Sequence, residues 1–169
     1  MKLQTLAKAI ALGSAGALGM GVLGGCAAQE TSAVTEAQSE NRAYMTQVNQ
    51  TMETLKDRLA SFSDAVSRGD VVNMRTQADN AFKALDSLGS QDAPDSLKDI
   101  KQQYVDGCAD LETALSDYVT LYAEIDSATD TQPFDWSSYD ERLAAIQSSY
   151  DSGIAKMEAG DKAAADLNG

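Results

Sequence analysis

The sequence predicts an all-α protein, an elongated up-and-down bundle of about four antiparallel helices. Three observations predict it. From about residue 39 to residue 160, apolar side chains recur every three or four positions, the period of an amphipathic helix. Only two prolines, Pro94 and Pro133, interrupt that run, and both fall near breaks in the pattern. No strand pattern and no internal repeat is visible, and 169 residues suit about one domain.

The first helix has the clearest pattern. Met45, Val48, Met52, Leu55, Leu59, Phe62 and Val66 follow each other by alternating steps of three and four. That is the a/d seam of a coiled coil, one narrow stripe facing partner helices. Arg68 supplies a basic last turn and Gly69 the left-handed residue that stops the helix. Asp70 then caps a second helix with the stripe Val71, Met74, Ala78, Ala81, Leu85 and Leu88, ended by Gly89.

After the polar connection 90–93, Pro94 fits the first position of a third helix. Its stripe is Leu97, Ile100, Tyr104, Gly107, Leu111, Ala114, Tyr118, Leu121 and Ile125. A second row, Cys108, Leu115 and Tyr122, widens it, as contact with two neighbours requires. Residues 127–132 read as a turn. Asp135 is placed to cap a fourth helix, with Phe134 and Tyr139 as a hydrophobic staple; Ser138 and Glu141 form a competing capping box. The fourth stripe is Tyr139, Leu143, Ile146, Tyr150, Ile154 and Met157, after which Gly160 and an Ala-rich tail, 161–169, are expected to fray. At 1.5 Å per residue the first and third helices reach roughly 45 to 50 Å and the second about 28 Å. Short connections make neighbours antiparallel.

The N-terminal residues have a different character. Lys2 and Lys8, with no acid, precede an apolar run from Ala9 to Leu23, and Leu23-Gly24-Gly25-Cys26 follows. A basic head, a short apolar stretch diluted by glycine and small residues before a cut describe a secretory signal peptide over 1–25, too short for a membrane-spanning helix. The same residues resemble the signal class of bacterial lipoproteins. Its lipobox sets an aliphatic residue three positions before a cysteine, with small residues between, and Leu23, Gly24, Gly25 and Cys26 fit it. The resemblance implies diacylglyceryl transfer to the Cys26 sulfur, cleavage after Gly25 and often acylation of the new amine. It therefore implies a protein held on the extracytoplasmic side of a cell membrane by lipid, since two or three acyl chains suffice for stable anchoring. It covers the leader alone. Residues 26–38, small and polar, read as the lipidated N-terminus and a tether.

Composition narrows the function classes. Thirteen basic against 26 acidic side chains give a net charge of -13, and losing Lys2 and Lys8 with the leader makes it more negative still. Nucleic-acid binding, which needs clustered Lys and Arg, is not expected. There is no histidine. Ser-His-Asp and Cys-His catalysis, His-ligated haem, ferritin-like di-iron sites and most catalytic zinc sites are excluded with it. No cofactor is expected.

Few residues stand out as sites. Cys108 reads as a small buried hydrophobe, its thiolate disfavoured by Asp106 and Asp110, with dimerisation through the thiol as the alternative. Arg68-Gly69-Asp70 is the tripeptide some adhesion proteins present to integrins, but here each residue has a helix-ending or helix-starting task. Acids such as Asp92, Asp95, Asp99, Asp126 and Asp130 match no calcium loop and read as a solvated face. The aromatic group Phe134, Trp136 and Tyr139 holds the chain's one tryptophan, which has no seam position. It reads either as a cap under the bundle end or as an exposed contact surface.

Three functions compete. The leading expectation is a non-enzymatic, lipid-anchored protein that binds or scaffolds an envelope protein or cell-wall component. The second is a small-molecule-binding lipoprotein with a pocket lined by Met52, Tyr104 and Tyr118. The third is a hydrolase working with carboxylates alone, which needs two inward acids about 5 to 9.5 Å apart.

Overall fold

The computed structural model describes residues 36–167. The leader, Cys26 and most of the expected tether lie outside the described residues. Four helices follow in order, α1 (Glu36–Arg68), α2 (Val71–Ser90), α3 (Lys98–Asp126) and α4 (Tyr139–Asp166), with 3-10 turns at Asp95–Leu97 and Trp136–Ser138. Among the described residues there is no strand. The all-α, up-and-down bundle expected from the periodicity is what forms.

Side-chain bonds between helices fix the antiparallel order. The Gln91 amide donates to Thr51 Oγ1 at 3.2 Å, and Ser96 Oγ donates to Asn41 Oδ1 at 2.9 Å. Tyr104 OH donates to Asp161 Oδ1 at 2.6 Å, while Arg142 pairs with Glu124. Glu36 and Asp166 therefore share one end, the base. The α1–α2 corner and Trp136 share the other, the tip. With 33 residues α1 spans about 50 Å between them.

α3 is the central element. Ile100, Tyr104, Leu111, Ala114, Tyr118 and Leu121 are buried along one row, and Cys108, Leu115, Val119 and Tyr122 along a second. Two rows let it pack against α2 and α4 at once, and its contact with α4 is the most extensive in the molecule. α1 buries Val48, Met52, Leu55, Phe62 and Val66 as the heptad requires, but Tyr44 and Ala65 join them, whereas Met45 and Leu59 are only half-buried. A helix that meets more than one neighbour needs a stripe broader than a strict a/d seam.

The α1–α2 corner forms as expected. Gly69 adopts φ 68, and the amides of Gly69 and Asp70 return to the carbonyls of Val66 and Ala65 at 3.0 and 3.1 Å. Both φ and space demand glycine, because a Cβ there would lie 2.8 Å from the Tyr122 hydroxyl. Asp70 caps α2 by accepting from the Asn73 amide at 3.0 Å.

Several boundaries differ from expectation. α1 begins at Glu36, not 39. Gly89 does not end α2, which runs through Ser90 until Gln91 turns extended on the approach to Pro94. Pro94 precedes a 3-10 turn that tucks Leu97 into the core, and α3 starts only at Lys98. Asp135 caps the 3-10 turn rather than α4, and Ser138 makes no capping bond, so the Ser138–Glu141 box is absent. The largest difference is the tail. Residues 161–166 are helical rather than frayed, with Gly160 and Ala164 buried.

Glycine explains that tail. A Cβ on Gly107 would stand 2.9 Å from the Gly153 carbonyl oxygen, and one on Gly153 would stand 2.9 Å from the Gly107 carbonyl oxygen. The α3 and α4 backbones thus touch where both lack side chains. Gly160 repeats the device two turns on, under the Tyr104 ring at 3.0 Å. The inward face of α4 is Ile146, Gly153, Met157, Gly160 and Ala164. Of the expected stripe, Tyr139, Leu143, Tyr150 and Ile154 are only partly buried at its edges.

Two expectations follow for urea unfolding. Leu111→Ala, in the fully buried row facing Gly153, should cost about 2 to 4 kcal/mol, whereas the exposed Lys56→Ala should change stability by less than about 0.5 kcal/mol. Gly107→Ala should destabilise by about 1 to 3 kcal/mol, because a backbone oxygen cannot yield as a side chain does. Gly89→Ala, with open space around it inside α2, should instead stabilise by about 0.5 to 1 kcal/mol. Equal signs for the two glycines would contradict the crossing.

Candidate functional site at the bundle tip

The connection from α3 to α4 builds the tip. Thr129 and Gln132 close residues 129–132 on themselves through reciprocal backbone bonds of 3.0 and 3.2 Å. Asp135 then accepts from the Ser137 amide at 2.9 Å and the Ser137 hydroxyl at 2.7 Å, which starts the 3-10 turn. These bonds hold the Asp135 carboxyl below the usual carboxylate range.

That turn sets three rings in contact. Trp136 meets Phe134 edge-on at 5.0 Å and lies tilted over Tyr139 at 5.6 Å. Phe134 and Tyr139 pack against the core, as a staple would, and Trp136 bridges them while remaining 43% exposed. Beneath them Tyr118 meets Phe62 edge-on at 5.7 Å and stacks on Tyr122 at 6.4 Å. Tyr118 is 1% exposed, and its hydroxyl has no hydrogen-bond partner among the described residues. The Tyr139 phenol is near enough to raise its pKa further, after desolvation, which is the larger cause. Aromatic rings thus run from the surface at Trp136 into the core, and a buried orphan hydroxyl lies beside that run.

The segment that holds the tryptophan is acidic in sequence. Asp126, Asp130, Asp135, Asp140 and Glu141 lie within the segment 126–141, which contains no Lys or Arg. Among them Asp126, Asp130, Asp140 and Glu141 are exposed and lack an ion-pair partner among the described residues. Two cations at this end are already engaged, Arg68 by Asp64 at 2.6 Å and Arg142 by Glu124.

The other singled-out residues are built into the fold. Cys108 is 6% exposed and its thiol is pushed up to about 12 by burial first and then by Glu112 and Asp86, not by Asp106 and Asp110. A thiol so placed is closed to dimerisation. Arg68 is held by Asp64, and both Asp70 carboxylate oxygens are held by Asn73, at 3.0 and 2.7 Å, so this tripeptide has no free acid to offer an integrin. Asp92, Asp95, Asp99, Asp126 and Asp130 are exposed, with Asp95 paired to Lys98. Among the described residues no cluster could hold a metal ion, and no helix is long and apolar enough to cross a membrane. Met52, Tyr104 and Tyr118 are buried in the core, Tyr104 against Gly160 and Tyr118 against Phe62.

Two groups escaped the sequence reading, the Tyr118 hydroxyl and the Tyr104–Asp161 bond at the base. Neither leaves a mark in hydropathy, because tyrosine counts as apolar and Asp161 follows a glycine expected to fray. No protein-family model matches the chain, and no curated protein or solved structure matches it.

Asp161 yields a pH test. Burial raises its carboxyl pKa, only partly offset by the Tyr104 hydroxyl. A raised folded pKa contributes stability that is present below the unfolded pKa, about 3.9, and lost as pH rises through the folded value. Asp161→Asn keeps an acceptor for Tyr104 without the charge. It should melt above wild type at pH 7, with the advantage vanishing as pH falls below about 4. Thermal melts by circular dichroism across that range check the sign; a variant less stable at pH 7 would refute it.

Proposed function

We propose that the chain is a lipid-anchored, extracytoplasmic helical-bundle protein that binds another cell-envelope component through its tip and performs no chemistry of its own. The leader supports the first half of this reading, since Leu23-Gly24-Gly25-Cys26 follows a basic head and an apolar run at the lipobox distances. The observation that carries the second half is the position of Trp136. It is exposed at the end opposite Glu36, and Glu36 lies only ten residues after Cys26. Acylation at Cys26 would keep the base near the bilayer and hold the aromatic tip about 50 Å away along α1. The acidic body has no attraction for an anionic membrane surface, so the lipid alone would hold it there.

The anchor is tested on the full chain expressed in a bacterial host. The membrane fraction should contain a protein that begins at Cys26 and carries the mass of two or three acyl chains. Cys26→Ser should abolish the added mass and leave the chain either uncleaved or released. A wild-type intact mass without acyl chains would overturn the reading.

A further inference from the structure

The end of α4 is seated on the bundle by little apolar surface. Gly160 lies under the Tyr104 ring, and after it Ala164 is buried and Ala163 partly buried, while Lys162, Ala165 and Asp166 are exposed. Two alanines cover far less area than a row of leucines, and a helix end carried by so little frays unless it is tied down. A side-chain hydrogen bond ties this turn to α3. The Tyr104 hydroxyl donates to Asp161 Oδ1 at 2.6 Å.

Asp161 occupies that junction without a cation. It is half-buried and has no ion-pair partner among the described residues. The neighbouring lysines are engaged elsewhere: Lys156 by Asp110 at 2.6 Å, Lys162 by Asp166 at 3.9 Å, and Lys101 on α3 by the Gln91 carbonyl. On α4 itself Glu158, one turn earlier, is exposed. Tyr44 of α1 acts on Tyr104 from the other side, and its buried hydroxyl has no partner among the described residues. The partner of Asp161 on the bundle side is thus a neutral phenol, backed by a second, rather than a lysine or arginine.

Ionising a carboxyl in this setting costs desolvation that one hydroxyl donor offsets only in part, so its pKa is raised. When the turn lifts away, water solvates the carboxylate and that cost disappears. Docking and proton binding are therefore linked. Docking is firmest below the unfolded carboxyl pKa, about 3.9, and weakens as pH rises through the docked value. We propose that the Tyr104–Asp161 junction is an acid-tightened latch that governs whether the last turns of α4, 161–166, stay seated on α3. The carboxyls of Asp70, Asp110 and Glu124, held by Asn73, Lys156 and Arg142, are lowered instead. Acid loosens those contacts while it tightens the base, which separates the latch from a change in overall stability.

Hydrogen exchange of the full chain in detergent tests the latch between about pH 3.5 and 7.5, a range that starts below the unfolded carboxyl pKa. It is read over 161–167 and over 108–115 in α3, each corrected for the intrinsic rate at that pH. In wild type, protection over 161–167 should fall severalfold as pH rises, and protection over 108–115 should not follow it. Asp161→Asn, which keeps an acceptor for Tyr104 without the charge, should hold the acid level of protection at every pH. Tyr104→Phe, which keeps the ring and removes the donor, should lose more protection over 161–167 at neutral pH than in acid. Circular dichroism shows whether each variant keeps its helices; should one unfold, the wild-type profile and the other variant still decide. Flat protection over 161–167 in wild type would overturn the proposal, as would the same fall over 108–115 or an undiminished fall in Asp161→Asn. Equal losses by Tyr104→Phe at both ends of the range would reduce the bond to packing and overturn it too.

Discussion

The contact between Gly107 and Gly153 governs the position of everything that follows it in the chain. Each glycine faces the carbonyl oxygen of the other, and a single methyl on either would stand inside contact distance. Helix axes normally lie 8 to 10 Å apart, separated by side chains. Removing those side chains at the crossing lets backbone meet backbone, so α4 docks closely while burying few large residues. Ion pairs flank the crossing without replacing it. Lys156 and Ser152 both reach Asp110, at 2.6 and 2.5 Å, and the Arg142–Glu124 pair closes the tip side. Their side chains are only half-buried, 28 to 47% exposed, and pairs still open to solvent contribute little on their own.

From that crossing the rest of α4 follows. Toward the base it brings Gly160 under Tyr104 and Asp161 onto the Tyr104 hydroxyl, which keeps the Ala-rich end helical. Toward the tip it fixes Tyr139 beside Tyr118 and carries Trp136 to the surface. Glycine within a helix ordinarily costs about 1 kcal/mol relative to alanine. Here close packing offsets that cost, and the same residues that weaken α4 as an isolated helix seat it in the bundle. All six tyrosines have their phenol pKa raised by burial, so aromatic bulk rather than a long aliphatic seam fills much of the space around α3.

The parts of the fold that were legible in the sequence are those where large apolar residues do the packing. α3 shows both of its buried rows, Ile100 to Leu121 and Cys108 to Tyr122, because bulky side chains at helical spacing have no other arrangement that hides them. The corner at Gly69 and Asp70 was legible for a different reason, since stop and start chemistry sit side by side. α4 was misread because its contact surface is made of glycine and alanine, which give hydropathy no contrast. Gly153, opposite Gly107 on α3, and Gly160, under Tyr104, stand seven residues apart, two helical turns; that small-residue spacing is the signal that would have found it. At the candidate site, Trp136 was identifiable because no seam needed it. The Tyr118 hydroxyl was not, because a phenol in a core row is indistinguishable from any other apolar residue until its neighbours are known.

In the antiparallel order α1 starts and α4 ends at the base, so the tip is built from the two interhelical connections alone among the described residues. Its long connection, 127–135, is closed on itself at Thr129 and Gln132 and leaves the glycine crossing untouched. Lengthening such a loop costs little, about 0.6 kcal/mol for each doubling. On the proposed function, recognition and stability would rest on separate residues. Insertions in the 127–135 connection can change the shape of the tip while α3 and α4 stay locked at their glycine crossing, which makes this end the part of the described fold freest to diverge.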